Sequence, residues 1–136
     1  MANTTFTGPV RSENGFESIT KNGTTGAITT NASYGATITG GVQALSGAGA
    51  ADLTNLVTEL TTGAGAAAVT LANGTTAGQI KIITMVVDGG GIATVTPATF
   101  ANGTSMAFGD VNDTVMLVWA NTIGWVIVSN SGAVVA

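Results

Sequence analysis

Residues 79–87 have the sequence Gln-Ile-Lys-Ile-Ile-Thr-Met-Val-Val, and Asp-Gly-Gly-Gly at 88–91 separates them from Ile-Ala-Thr-Val-Thr at 92–96. β-Branched residues dominate both runs, which is typical of strands, and the glycine cluster between them is typical of a turn. The first run is apolar at nearly every position and does not alternate cleanly. Such a strand is buried on both faces, either by the layers of its own fold or by another subunit.

The same pattern extends from this centre in both directions. Runs rich in Thr, Val and Ile recur about every ten residues, and 20 glycines mark the turns between them. The pattern predicts an all-β fold, a single small sandwich or barrel. Sequential antiparallel pairing is the simplest connection and makes that fold jelly-roll-like. Predicted strands cover residues 15–21, 27–31, 34–39, 42–45, 67–71, 79–87, 92–96, 105–108, 115–119, 125–129 and 133–135.

The predicted hairpin of residues 15–31 turns at Asn22-Gly23, a pair that favours tight turns.

Two segments are less regular. Residues 46–51, Ser-Gly-Ala-Gly-Ala-Ala, predict a flexible connection. In residues 52–62 four apolar side chains fall at helical spacing behind Asp52, a suitable N-cap. Branched threonines in the same segment disfavour a helix. We therefore predict a strand over residues 56–62, with a helix as the alternative.

Charged residues are scarce. Three Lys and Arg and seven Asp and Glu make up 7% of the chain, whereas soluble domains carry about a quarter. Low charge lets two surfaces approach without desolvating ions. Together with strands that are apolar on both faces, this composition predicts oligomerisation.

Composition also excludes several function classes. A net charge of -4 cannot build the basic stripe that nucleic acid requires. No apolar run reaches the roughly 18 residues of a membrane-spanning helix, and the first residues lack the pattern of a signal peptide. We therefore expect synthesis in a cytoplasm, without a membrane partner. Cysteine and histidine are absent, which removes thiol chemistry, the commonest general base and the commonest metal ligand.

Acidic residues in turns are the remaining candidates for chemistry. Asp110, Asn112 and Asp113 cluster, and Asp88 opens the glycine turn, but the spacing lacks the ligand pattern of a calcium loop. Asx residues that open turns explain the same positions. Paired carboxylates for hydrolysis would have to come mainly from turns or from the N-terminal segment. We expect no metal, no cofactor and no catalytic residues, hence no enzyme.

Trp119 and Trp125 flank a predicted turn at residues 120–124. Aromatic rings beside a turn can stack on sugars, although such residues are more often half-buried parts of a hairpin. Glycan contact through Trp119 and Trp125 is therefore one candidate binding site.

Several segments of the second half carry a resemblance to a known group of proteins. They are Val-Thr-Leu-Ala-Asn-Gly at 69–74, Ala-Gly-Gln-Ile-Lys-Ile-Ile at 77–83, Asp-Gly-Gly at 88–90, Ala-Thr-Val-Thr-Pro at 93–97, and the stretches 109–119 and 124–128. Gly-Pro-Val-Arg-Ser-Glu-Asn-Gly-Phe at 8–16 adds to them. The chain resembles virion structural proteins of tailed bacteriophages, particularly those of aquatic hosts. The resemblance implies a trimeric head protein or fibre component and carries over no active-site residues.

Residues 1–14 hold few apolar groups, which predicts an extended N-terminal arm, followed by a single β domain over 15–136. We expect a homotrimeric capsid decoration or cement protein on the virion surface, made in the host cytoplasm. Its arm and the residues beside it would contact the major capsid protein through Phe6, Pro9, Arg11 and Phe16. The alternative is a host-recognition module of a head fibre or tail spike, which would bind glycans through Trp119 and Trp125.

Overall fold

The structure, a computed structural model, describes residues 17–33 and 41–136. The chain divides into two units, Met1–Ile38 and Thr39–Ala136. All the regular secondary structure of the described residues is β-strand, so the all-β prediction is confirmed. No helix in this part of the chain is long and apolar enough to cross a membrane. The strands are β1 (Glu17–Lys21), β2 (Ile28–Ser33), β3 (Val42–Ser46), β4 (Gly49–Ala51), β5 (Val57–Thr61), β6 (Ala67–Leu71), β7 (Ile80–Val87), β8 (Ala93–Pro97), β9 (Met106–Phe108), β10 (Thr114–Ala120), β11 (Gly124–Ser131) and β12 (Val134–Val135).

The first unit contains the predicted hairpin, in which β1 and β2 pair antiparallel. Its turn is longer than the two-residue Asn22-Gly23 turn that we predicted, because Asn22 organises the whole loop. The Asn22 side chain accepts the N–H groups of Thr24 at 2.9 Å and Thr25 at 3.0 Å. Gly26, with φ 71°, supplies the left-handed residue that returns the chain to β2.

The second unit is a sandwich of two five-stranded sheets, which confirms the sandwich prediction. The sheet ordered β11-β10-β7-β5-β3 contains the three longest strands and is called the long-strand sheet below. The sheet ordered β12-β9-β8-β6-β4 is called the short-strand sheet. Both are mixed sheets, with parallel and antiparallel neighbours.

Strand pairing differs from the antiparallel, jelly-roll-like order that we predicted. From β3 to β8 each strand lies in the opposite sheet from the one before it. Each of these strands therefore pairs in parallel with the strand two places along: β3 with β5, β5 with β7, β4 with β6 and β6 with β8. Such coiling is typical of β-solenoids. Within the sandwich, antiparallel pairing begins only after β8 in the chain, where β10 joins β7 and β11, and β9 joins β8 and β12.

The segment that we predicted to be a flexible connection contains strand β4. Gly47, with φ 71°, turns the chain out of β3, and β4 then pairs in parallel with β6. Glycine and alanine give no alternation that would predict this strand from sequence. The following ambiguous segment forms β5 at Val57–Thr61, so the strand prediction is confirmed over the helical alternative.

The core lies between the two sheets, and alternate residues of each strand reach it. Strand β6 shows the pattern most simply, with Ala67, Val69 and Leu71 buried and the two residues between them exposed. Other strands of both sheets contribute buried apolar side chains in the same way. The buried apolar residues are Ala51, Leu60, Ala67, Val69, Leu71, Ile83, Met85, Ala93, Val95, Met106, Phe108, Val115, Leu117, Trp119, Trp125 and Ala133.

Candidate interaction surface

The predicted capsid-contact residues Phe6, Pro9, Arg11 and Phe16 lie outside the described residues. The boundary that we predicted between arm and domain, after residue 14, lies outside them as well. Capsid contact through these four residues therefore stays a prediction.

The structure places the two tryptophans together but inside the protein. Trp119 on β10 and Trp125 on β11 are cross-strand partners, and their ring centroids lie 5.5 Å apart at 63°. Their exposed fractions are only 7% and 0%. Stacking on a sugar requires an open ring face, and this chain itself covers both rings. Because both side chains point into the core, the expected glycan platform does not form here.

The tryptophans instead close one end of the sandwich. The indole N–H of Trp125 donates to the Ala72 carbonyl at 2.8 Å, just after β6 of the opposite sheet. The backbone of Trp125 bonds to the loop that follows β8, accepting from Ala101 N–H at 2.9 Å and donating to Thr99 O at 3.0 Å. The Trp119 indole donates to Asn121 Oδ1 at 2.9 Å. The bonds of Trp125 tie the two sheets together, whereas that of Trp119 stays within its own hairpin.

The acidic residues in turns act as local hydrogen-bond acceptors. Asp113 Oδ2 accepts the N–H groups of Gly109 at 2.8 Å and Asp110 at 3.0 Å. Asp88 Oδ1 accepts the Gly90 N–H at 2.7 Å. Residues 17–33 and 41–136 hold no group of three or more acidic side chains that could coordinate a metal ion. Turn formation therefore accounts for these positions, as the Asx interpretation predicted.

Lys81 is a buried cation on the central strand of the long-strand sheet, 1% exposed. Its Nζ donates to the Asn55 carbonyl at 2.8 Å and lies 3.9 Å from Asp52 Oδ1. Burial lowers the pKa of Lys81, and the nearby charge of Asp52 offsets this only in part. The only signal of this site in the sequence is a lone lysine within an apolar run.

Asp52 is the hub of the polar cluster around Lys81. It accepts the backbone N–H of Asn55 at 2.8 Å and the Asn55 side-chain amide at 2.7 Å. Burial alone would raise the pKa of Asp52, but the hydrogen bonds from Asn55, the charge of Lys81 and the Thr54 N–H together lower it. The Asp52 N–H donates to Gln43 Oε1 at 2.9 Å. Since these groups satisfy one another and the lysine is enclosed, the cluster has a structural role.

The outward face of the long-strand sheet carries apolar side chains on neighbouring strands. Its register aligns side chains from neighbouring strands into ranks across the sheet. One rank runs from Val42 through Val57 and Ile82 to Met116, and the next joins Ile80, Val118 and Val126. These seven residues are called the apolar face. All are partly or fully exposed, and Val42 is 53% exposed.

A polar rank borders the apolar face. It runs from Ala44 through Glu59, Thr84 and Thr114 to Ser131. The hydroxyl groups of Thr84 and Thr114 form a hydrogen bond of 2.7 Å. Glu59 is the one ionisable residue of this sheet's strands besides the buried Lys81. On β5, β7 and β10 the outward surface therefore changes from apolar to polar over two residues along the strand.

The outward face of the short-strand sheet has smaller side chains. Its ranks follow the register of β4, β6, β8, β9 and β12. Alanine and threonine predominate, and none of these side chains is ionisable. The outward residues are Ala50, Ala68, Thr70, Thr94, Thr96, Ala107 and Val134.

Formal charge divides unevenly between the two units of the chain. Residues 1–38 hold Arg11 and Lys21 against Glu13 and Glu17, a net charge of zero, so the whole net charge of -4 falls on residues 39–136. In that second part the single cation is Lys81, which is buried. The exterior of the sandwich is therefore either uncharged or acidic.

Comparison with protein-family models and with curated protein sequences found no match to this chain.

Proposed function

We propose that this chain is a virion structural protein of a tailed bacteriophage, specifically a capsid decoration or cement protein that binds and stabilises the head lattice. The observation that carries the proposal is a β-sandwich with two outward sheet faces that together present a single ionisable side chain, Glu59. Uncharged faces can be buried against protein at little desolvation cost. Such faces suit a protein that functions as a component of a larger assembly.

The resemblance of residues 8–16 and of the second half to phage virion proteins supports the same proposal. In this function the chain is a homotrimer that does no chemistry, and the major capsid protein is its partner. Contacts through apolar and hydroxyl groups are hardly screened by salt. Capsid stabilisation by this chain should therefore persist at high ionic strength.

The direct test is to locate the chain by cryo-electron microscopy of virions purified from its phage. We expect sandwich-sized density that recurs across the capsid lattice at local threefold or quasi-threefold positions. Density confined to a vertex, tail or fibre would contradict the decoration function and favour the host-recognition alternative. Absence of the chain from purified virions would contradict both.

A binding experiment tests the predicted role of the N-terminal residues. A variant that lacks residues 2–12 is mixed with capsids stripped of this chain, and co-sedimentation is compared with that of the full chain. We expect the deletion to abolish capsid binding while the circular dichroism of the β-fold is unchanged. Binding equal to that of the full chain would rule out these residues as the capsid contact.

A further inference from the structure

The sandwich contains the tetrapeptide Ala-Asn-Gly-Thr twice, at residues 72–75 and at residues 101–104. In an Asn-Gly pair the backbone nitrogen of the glycine can attack the asparagine side chain, because glycine has no Cβ to hinder the approach. Asn73 and Asn102 are both exposed. Since their sequence neighbours are identical, any difference in their reactivity comes from the tertiary structure.

The side chain of Asn102 is held by the long-strand sheet. Its Oδ1 accepts the backbone N–H of Ile127 on β11 at 2.9 Å. The chain that follows is tied as well, since the Thr104 hydroxyl donates to the Ala136 carbonyl at 3.0 Å. The Asn102 amide must therefore give up its bond to Ile127 before it can turn toward the Gly103 nitrogen.

Asn73 is positioned by its neighbours but not by its own side chain. The Ala72 carbonyl accepts the indole N–H of Trp125 at 2.8 Å. The Thr75 N–H donates to Gln79 Oε1 at 2.9 Å. Within residues 17–33 and 41–136 no group hydrogen-bonds to the Asn73 amide. This amide can turn toward the next backbone nitrogen without losing a contact to the protein.

We propose that Asn73 is the deamidation site of the sandwich. The Gly74 nitrogen gives its proton to base and forms a bond to Asn73 Cγ, and the Cγ–Nδ2 bond breaks to release ammonia. Water then opens the cyclic imide at either carbonyl and leaves aspartate or isoaspartate at position 73. One hydrogen bond that must be broken first lowers a rate about fivefold. Asn102 should therefore react at least about that much more slowly.

The modification acts on the tryptophan end of the sandwich. Ala72 precedes the site and carries the bond to Trp125 of the other sheet. Gly74 follows the site and packs so closely on Trp119 that a Cβ there would overlap the ring. Isoaspartate adds a methylene group to the backbone between these two contacts, so they cannot both be kept as they are. Deamidation of Asn73 therefore weakens the connection between the sheets.

Peptide mapping of the aged full chain tests the proposal. The wild type is incubated in mildly alkaline buffer and digested, and mass spectrometry follows the conversion of amide to acid in each Asn-Gly peptide. We expect Asn73 to convert at least about fivefold faster than Asn102. In concentrated urea, where the bond to Ile127 is lost, the two rates should become equal. Equal rates in the folded chain, or faster conversion of Asn102, would overturn the proposal.

Thermal denaturation of aged variants tests the consequence for the fold. Asn73→Ser is compared with the matched control Asn102→Ser and with the wild type, each against its own fresh sample. The Asn-Gly pairs at Asn14 and Asn22 are present in all three chains, so their reactions cancel. We expect ageing to add a lower transition to the wild type and to Asn102→Ser but not to Asn73→Ser. A lower transition in all three chains, or in none, would overturn the link between Asn73 and the tryptophan end.

Discussion

The long-strand and short-strand sheets enclose the same core but present different outward surfaces. The outward ranks of the long-strand sheet contain large apolar residues such as Ile80, Ile82 and Met116. At equivalent places the short-strand sheet has small and hydroxyl side chains such as Ala68 and Thr94. Both sheets need only one apolar face to form the core, so the core does not account for the outward apolar residues of the long-strand sheet.

On the inward faces, the long-strand sheet is the more polar of the two. The short-strand sheet contributes only apolar side chains to the interior, whereas the long-strand sheet buries Thr58 and Lys81 among its apolar residues. Thr58 donates a hydrogen bond to Gln43 Oε1 and Lys81 donates one to the Asn55 carbonyl, which makes this burial tolerable. The comparison indicates that polar bonds help to specify the interior of the long-strand sheet, whereas apolar packing specifies that of the short-strand sheet.

The largest expected effect comes from Trp125→Ala, which breaks the connection between the two sheets. The substitution empties a fully buried site and removes the bond to Ala72, so we expect a loss of about 3–5 kcal/mol in the free energy of unfolding. Chemical denaturation measures it. The control Trp125→Phe keeps an aromatic ring but not the hydrogen bond and should lose less. A loss below about 1 kcal/mol for Trp125→Ala would mean that the sheets are joined elsewhere.

Gly74→Ala should produce the next largest effect, because the added Cβ would overlap the ring of Trp119. The ring is buried and cannot move aside without disturbing Trp125. We expect a loss of about 1–3 kcal/mol in thermal or chemical denaturation. Gly63→Ala is the matched control, since nothing lies within 4 Å of its added Cβ. Equal stability of the two variants would show that the tryptophan end is loosely packed.

The buried lysine predicts a pH dependence that belongs to the long-strand sheet. The pKa of Lys81 is lowered in the folded protein from 10.5, so the unfolded chain binds more protons between the two pKa values. Stability therefore rises as the pH increases through that window, and the cost of burying the charge is fully present below it. We expect the stability of the wild type relative to Lys81→Met to increase as the pH rises toward 10.5, the pKa of an unperturbed lysine.

Urea denaturation at several pH values measures this difference. If the difference in stability between the wild type and Lys81→Met does not change with pH, the interactions of the Lys81 ammonium with Asp52 and Asn55 fully offset the cost of burying its charge.

The smallest change in stability is expected on the outward face of the short-strand sheet. Thr70→Val with Thr94→Val should alter the free energy of unfolding by at most about 0.5 kcal/mol per site, because both positions face outward. The double variant makes this face resemble the apolar face, so we expect higher-order association in light scattering. A mass equal to that of the wild type would show that apolar character alone does not make a sheet face associate.

Much of this architecture could be predicted from the sequence, because each strand carries its own signal. Alternation and β-branched residues predicted β5, β7 and β10 to within about two residues. The functional positions were harder to predict. The sequence left open whether Trp119 and Trp125 face a sugar or the interior, because the side of a hairpin that faces the core depends on the sheet that packs against it. The polar cluster joins Gln43, Asp52 and Lys81 from distant parts of the chain, which no local pattern brings together.

The sequence by itself determined that this protein is built from strands, lacks a histidine or cysteine for chemistry, and has strands apolar on both sides. Only the tertiary structure decided which strands are neighbours, because pairing depends on where the chain crosses between the sheets and not on the residues of any one strand. Parallel pairing of β5 with β7 and antiparallel pairing of β7 with β10 align Val57, Ile82 and Met116 into one rank. An apolar face forms in this way from residues that are separated by up to 84 positions in the sequence, from Val42 to Val126.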